Sequence, residues 1–121
     1  MIRYSLLVME GPAQGQAALS ALRFAEAALA RGHAVAQVFF YGEGAAALLR
    51  GEVPADEIDA IAQLGELAER HGFPMRACAT AAGRRGYTDV ARESATAVDQ
   101  GTLGQLMVEL QAGDRLVTFA N

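Results

Sequence analysis

His33-Ala34-Val35-Ala36-Gln37-Val38-Phe39-Phe40-Tyr41 is the stretch on which the fold turns. It is apolar almost without a break, and its second half is β-branched and aromatic. A strand with one wet face alternates apolar and polar residues, whereas a strand covered on both faces has no need to. The run therefore predicts an interior strand of a parallel sheet.

The neighbouring segments fit that frame. Ile2–Met9 reads as a first strand, followed by a turn, Glu10-Gly11-Pro12-Ala13-Gln14-Gly15. Gln16–Arg31 carries Ala18, Leu22, Ala25 and Leu29 at spacings of three and four, one face of a helix that stops at Gly32. Beyond Gly42-Glu43-Gly44 the pattern predicts a short helix over Ala45–Arg50 and a loop over Gly51–Ala55. A helix over Glu57–Arg70 follows, capped by Asp56, with Ile58, Ile61, Leu64 and Leu67 on one side. Phe73–Cys78 reads as a third strand and Ala79–Thr88 as a loop of small residues. Asp89–Thr96 reads as helix, Ala97–Thr102 as a very short strand, Leu103–Gln111 as helix and Arg115–Phe119 as the last strand. Strands alternating with helices predict an α/β fold. The expectation is one domain over residues 1–121, a three-layer α/β/α sandwich on a mostly parallel sheet of four to five strands.

Composition agrees. The chain has 121 residues, 52% hydrophobic and 20% charged, which suits one globular domain rather than a disordered segment. The net charge of −4 is a poor balance for direct nucleic-acid binding, which draws its affinity from neutralised phosphates. All ten basic residues are Arg, so Schiff-base lysines and the P-loop lysine are excluded. The apolar run Met1–Met9 is too short to span a bilayer or to form a signal core, so neither a membrane nor an export role is expected. The single cysteine, Cys78, excludes an intrachain disulfide and a multi-cysteine metal site, and suits a reducing, cytoplasmic compartment.

In open parallel sheets the chemistry lies beyond the carboxyl ends of the strands. Cys78 falls at such an end. His33 and His71 fall just before strands, at the opposite edge, so a Cys–His nucleophile pair is not expected. Arg84 and Arg85 follow Cys78 in the same loop, and nearby cations favour a thiolate. The pattern predicts a partly exposed, electropositive cysteine without a general base, which suits thiol transfer rather than hydrolysis. A buried core cysteine is the alternative. The Gly11–Gly15 turn faces the same edge but matches neither nucleotide-binding fingerprint, so a nucleotide module is the weaker rival. The acidic residues Asp56, Glu57, Asp59, Glu66 and Glu69 read as a solvated helix face, and the apolar last strand hints at oligomerisation.

Four stretches together resemble the DsrE-like family of small sulfurtransferases, and within it the TusD type of the tRNA 2-thiouridine sulfur relay. They are Gly11-Pro12-Ala13-Gln14-Gly15; Val38-Phe39-Phe40-Tyr41 with Glu43-Gly44; Cys78-Ala79-Thr80-Ala81-Ala82 with Arg84-Arg85-Gly86; and Gly113-Asp114-Arg115-Leu116-Val117 with Phe119. The resemblance implies that Cys78 accepts a sulfane sulfur as a persulfide and passes it on, without cofactor or metal. It implies TusB-like and TusC-like partner subunits in a heterohexamer, a TusA-like donor and a TusE-like acceptor. DsrE-type sulfur oxidation is the same chemistry in another setting. Arg84, Arg85, Gly11, Gln14 and Tyr41 are the expected substrate-binding residues around Cys78.

Overall fold

The computed structural model describes residues 1–12, 14–49, 58–87 and 98–120. Five strands form one sheet: β1 (Arg3–Val8), β2 (Ala34–Phe40), β3 (Met75–Cys78), β4 (Asp99–Gly101) and β5 (Arg115–Phe119). Their spatial order is β4-β3-β2-β1-β5, and every pairing is parallel. The sheet is thus wholly parallel rather than mostly so, because each pair of successive strands is joined by a crossover and none by a hairpin.

The helices are α1 (Ala17–Ala30), α2 (Ala60–His71), α3 (Ala79–Arg84) and α4 (Leu103–Glu109), with a 3-10 segment at Gly42–Leu48. Adjacent residues of β1 show how they layer. The ring of Tyr4 meets Phe24 of α1 edge-on, while the Ser5 hydroxyl accepts a hydrogen bond from Gln37, whose amide also donates to the Leu106 carbonyl of α4. Successive strand residues point to opposite faces, so α1 and α4 cover opposite sides of the sheet. With α2 packed beside α1, the result is the three-layer sandwich.

β2 is buried along six of its seven residues, as its near-continuous apolar run requires. Beneath α1 the core comprises Leu6, Val8, Val38 and Phe40, and small residues at Ala18, Ala21 and Ala25 let that helix approach closely. Between Tyr4 and Ser5 the β1–β2 register slips by one, leaving Ala36 as an extra residue in β2.

Several boundaries differ from the sequence reading. Asp59 caps α2, which starts at Ala60 rather than Glu57, its carboxylate accepting from the Ala62 N–H; Gly72, with φ of 77°, ends that helix. Ile58 therefore precedes the helix and is exposed instead of sharing its apolar face. The segment after β2 begins its turns at Gly42 and is 3-10 in type. Residues 79–84 are not loop but helix, since Ala79, Ala81 and Ala82 are strong helix formers that outweigh the Gly at 83. The expected loop Gly51–Ala55, the cap at Asp56 with Glu57, and the expected helix Asp89–Thr96 lie outside the described residues.

Candidate functional site

Cys78 ends β3 and is the residue from which α3 starts. It is 3% exposed. The expectation of a partly exposed thiol is therefore corrected: the strand end is roofed, because the chain folds straight into α3, and Ala81 and Ala82 join the same core as Cys78. α3 in turn packs against the 3-10 segment.

The other expected site residues lie at this carboxyl edge, and Arg85 among them is paired with Glu43. Arg85 donates from Nε to Glu43 Oε1 at 2.9 Å and from Nη1 to the Ala81 carbonyl at 3.2 Å. Its charge is thereby committed to the protein. Arg84, the neighbouring residue, is exposed. Gly11 donates its N–H to Gln14 Oε1 at 2.7 Å, and a Cβ on Gly11 would stand 3.2 Å from the Glu43 carbonyl oxygen. Tyr41 is partly buried against the core, and its carbonyl accepts from Gly44 N–H. Gly44 itself admits no side chain, since a Cβ there would lie 2.2 Å from the Val8 carbonyl oxygen. Glu43 is the partner of Arg85 that sequence reasoning did not name as a site residue. Its exposed place in a turn offered no periodic signal.

The Gly11–Gly15 turn is closed to phosphates by Glu10. This carboxylate is 7% exposed and accepts from the Ala17 N–H, the first of α1, at 3.1 Å. The protein's own anion occupies the position where a phosphate would sit. A cavity of about 250 Å³ lies alongside, lined by Glu10, Ser20, Thr118 and Phe119 but not by Cys78.

The histidines sit where the sequence placed them. His33 precedes β2 and accepts the Ile2 N–H on Nδ1 at 3.0 Å; His71 closes α2 and is exposed. Neither lies at the edge that carries Cys78, because each precedes a strand of a parallel sheet. Among the described residues no three His, Cys, Asp or Glu side chains cluster as a metal site. No helix among them is long and apolar enough to cross a membrane.

A family model for DsrE/DsrF-like proteins matches residues 3–119. The chain belongs to the DsrE/DsrF-like family. The TusD homolog of Aliivibrio fischeri, named a sulfurtransferase, is 41% identical over 93% of this chain and 95% of its own length. The sulfurtransferase TusD of Serratia proteamaculans is 40% identical over 93% of this chain and 96% of its own. A DsrE protein of Allochromatium vinosum is 36% identical over 99% of this chain and all of its own length. Among solved structures, the YchN protein of E. coli superposes with a TM-score of 0.78 at 22% identity, covering 98% of this chain and all of its own. That likeness speaks for the DsrE-type fold. The expected fold, a DsrE-like α/β sandwich, is the one observed.

Proposed function

We propose that this DsrE/DsrF-like chain, one domain over residues 1–121, is a sulfurtransferase subunit whose Cys78 carries sulfane sulfur as a persulfide. The observation that carries the reading is the position of Cys78, at the carboxyl end of β3 where a parallel sheet presents its chemistry, in a chain whose full-length relatives are named sulfurtransferases.

The chemistry is thiol exchange. The Cys78 thiolate attacks the outer sulfur of a donor persulfide. The donor S–S bond breaks, its thiolate leaves and takes the proton, and a Cys78 persulfide forms without net oxidation. An acceptor thiolate then attacks the outer sulfur of Cys78. The sequence holds no second cysteine that could convert the persulfide to an intrachain disulfide, so the sulfur waits for another protein. TusB-like and TusC-like subunits, a TusA-like donor and a TusE-like acceptor are the corresponding partners. The destination is wobble-uridine 2-thiolation in tRNA, with the cytoplasm as compartment. DsrE-type sulfur oxidation is the alternative setting, in keeping with the DsrE name of the Allochromatium vinosum relative. Arg84, Gly11, Gln14 and Tyr41 are proposed to shape the surface presented to the carriers, and Arg85 to hold α3 through Glu43.

The burial of Cys78 favours a second reading, a structural subunit with an inert thiol. Intact-mass spectrometry after incubation with a persulfide-charged donor separates the two. Gain of one sulfur atom, reversed by reductant and absent in Cys78→Ser, supports the carrier. No gain by the assembled complex supports the structural subunit.

A further inference from the structure

Among the described residues, the other partly buried guanidinium groups have a counter-charge. Arg3 is bracketed by Asp114 and Glu109, and Arg85 by Glu43. Arg76 is the exception. It is partly buried, its Nη1 is shut off from solvent, and among the described residues no acceptor meets that atom. An unpaired buried donor on a permanent cation is costly, and native proteins fill such vacancies.

The surroundings show where the group lies. Arg76 and Cys78 are two apart on β3, so their side chains leave the same face of the sheet about 7 Å apart along the strand. The Arg76 side chain leans toward the carboxyl edge: a Cβ built on Gly101, the residue opposite Cys78 in the register, would stand 2.9 Å from both its Cβ and its Cδ. Gly101 therefore leaves the space that the Arg76 side chain occupies beside the register position of Cys78. Arg76 lines an open cleft of about 320 Å³ with Thr102, Gly104, Gln105, Val108 and Glu109, which runs along α4 and does not include Cys78 itself. Glu109, the acid in that cleft, is turned to Arg3 at 3.5 Å. Val108, on the wall of the cleft, is 80% exposed, and Leu103 at 43% and Met107 at 64% are exposed on the same helix. An unpaired cation near exposed apolar side chains is complementary to a protein surface presenting one carboxylate among apolar side chains.

We propose that Arg76 is an anion subsite beside Cys78, which receives an acidic side chain flanking the reactive cysteine of the protein with which Cys78 exchanges sulfur. The proposal rests on the reading of Cys78 as a carrier. Two short peptides test it, identical except for Glu in one and Gln in the other, two residues from a cysteine activated as a mixed disulfide with thiopyridine. The Cys78 thiolate attacks the peptide sulfur, the old S–S bond breaks, thiopyridone leaves, and its absorbance reports the rate. On the native protein the Glu peptide reacts faster than the Gln peptide by about tenfold, the worth of one charge-assisted hydrogen bond. Arg76→Gln erases that ratio, Arg76→Lys keeps part of it, and added salt shrinks it. The Gln peptide is the internal control, since any change in folding or in access to Cys78 alters both rates together. A ratio near one on the native protein, or one unchanged in Arg76→Gln, overturns the subsite alone. Failure of both peptides to react with native Cys78 overturns the carrier reading and the subsite with it.

Discussion

Glu43 and Arg85, 42 residues apart in sequence, form an ion pair at 2.9 Å that ties the 3-10 segment after β2 to the end of α3. Because Cys78 is the residue from which α3 starts, this pair bears on the one cysteine of the chain through the helix that follows it. Arg85 thereby acts on the site by holding backbone rather than by meeting substrate.

The pair is partly exposed, so its energy is modest, about 0.2–1 kcal/mol. Glu43→Gln and Arg85→Gln should each lower the unfolding midpoint slightly. They should also raise the rate at which a small alkylating reagent reaches Cys78. The exchange Glu43→Arg with Arg85→Glu should restore slow alkylation. Alkylation rates that stay equal across the singles and the double would show that the pair does not govern access.

Gly44 is set against the end of β1. A methyl group at that position meets the Val8 carbonyl oxygen, which already accepts the Tyr41 N–H at 3.0 Å. Gly44→Ala should therefore destabilise by about 1–3 kcal/mol. Urea unfolding checks this, with Gly83→Ala as control, because nothing lies within 4 Å of a Cβ at Gly83.

Gln37 is the polar residue in the β2 run, and its amide donates to Ser5 Oγ and to the Leu106 carbonyl, each at 3.1 Å. Its own Oε1 is buried without a partner. Gln37→Leu should cost about 1 kcal/mol, since losing two hydrogen bonds is partly offset by removing the orphaned oxygen. Gln37→Ala adds a cavity and should cost more. No loss for Gln37→Leu in chemical denaturation would show that α4 does not depend on this bridge.

Nucleotides should leave thermal stability unchanged, because Glu10 already occupies the start of α1. A rise in midpoint that grows with nucleotide concentration would contradict this and revive a binding role for the Gly11–Gly15 turn.

What the linear order of residues determined was the layering. A near-continuous apolar run at β2 demands cover on both faces, and amphipathic or Ala-rich segments between strands supply it. Those patterns repeat at short range, so a largely parallel sheet of four to five strands, Cys78 at a carboxyl end and both histidines at the other edge were legible, while the exact strand count and the wholly parallel pairing were not. The caps were less so: Asp56 and Asp59 are equally good capping residues in sequence, and packing of Leu64 and Leu67 selects the register. Only the tertiary structure decided the neighbourhood of Cys78. Its 3% exposure, the commitment of Arg85 to Glu43, the Glu10 carboxylate at α1 and the vacant Arg76 all depend on residues far apart in the chain. The reason is physical. Backbone periodicity repeats every two or 3.6 residues and can be read locally, whereas which charge meets which is settled when distant strand ends converge on one edge.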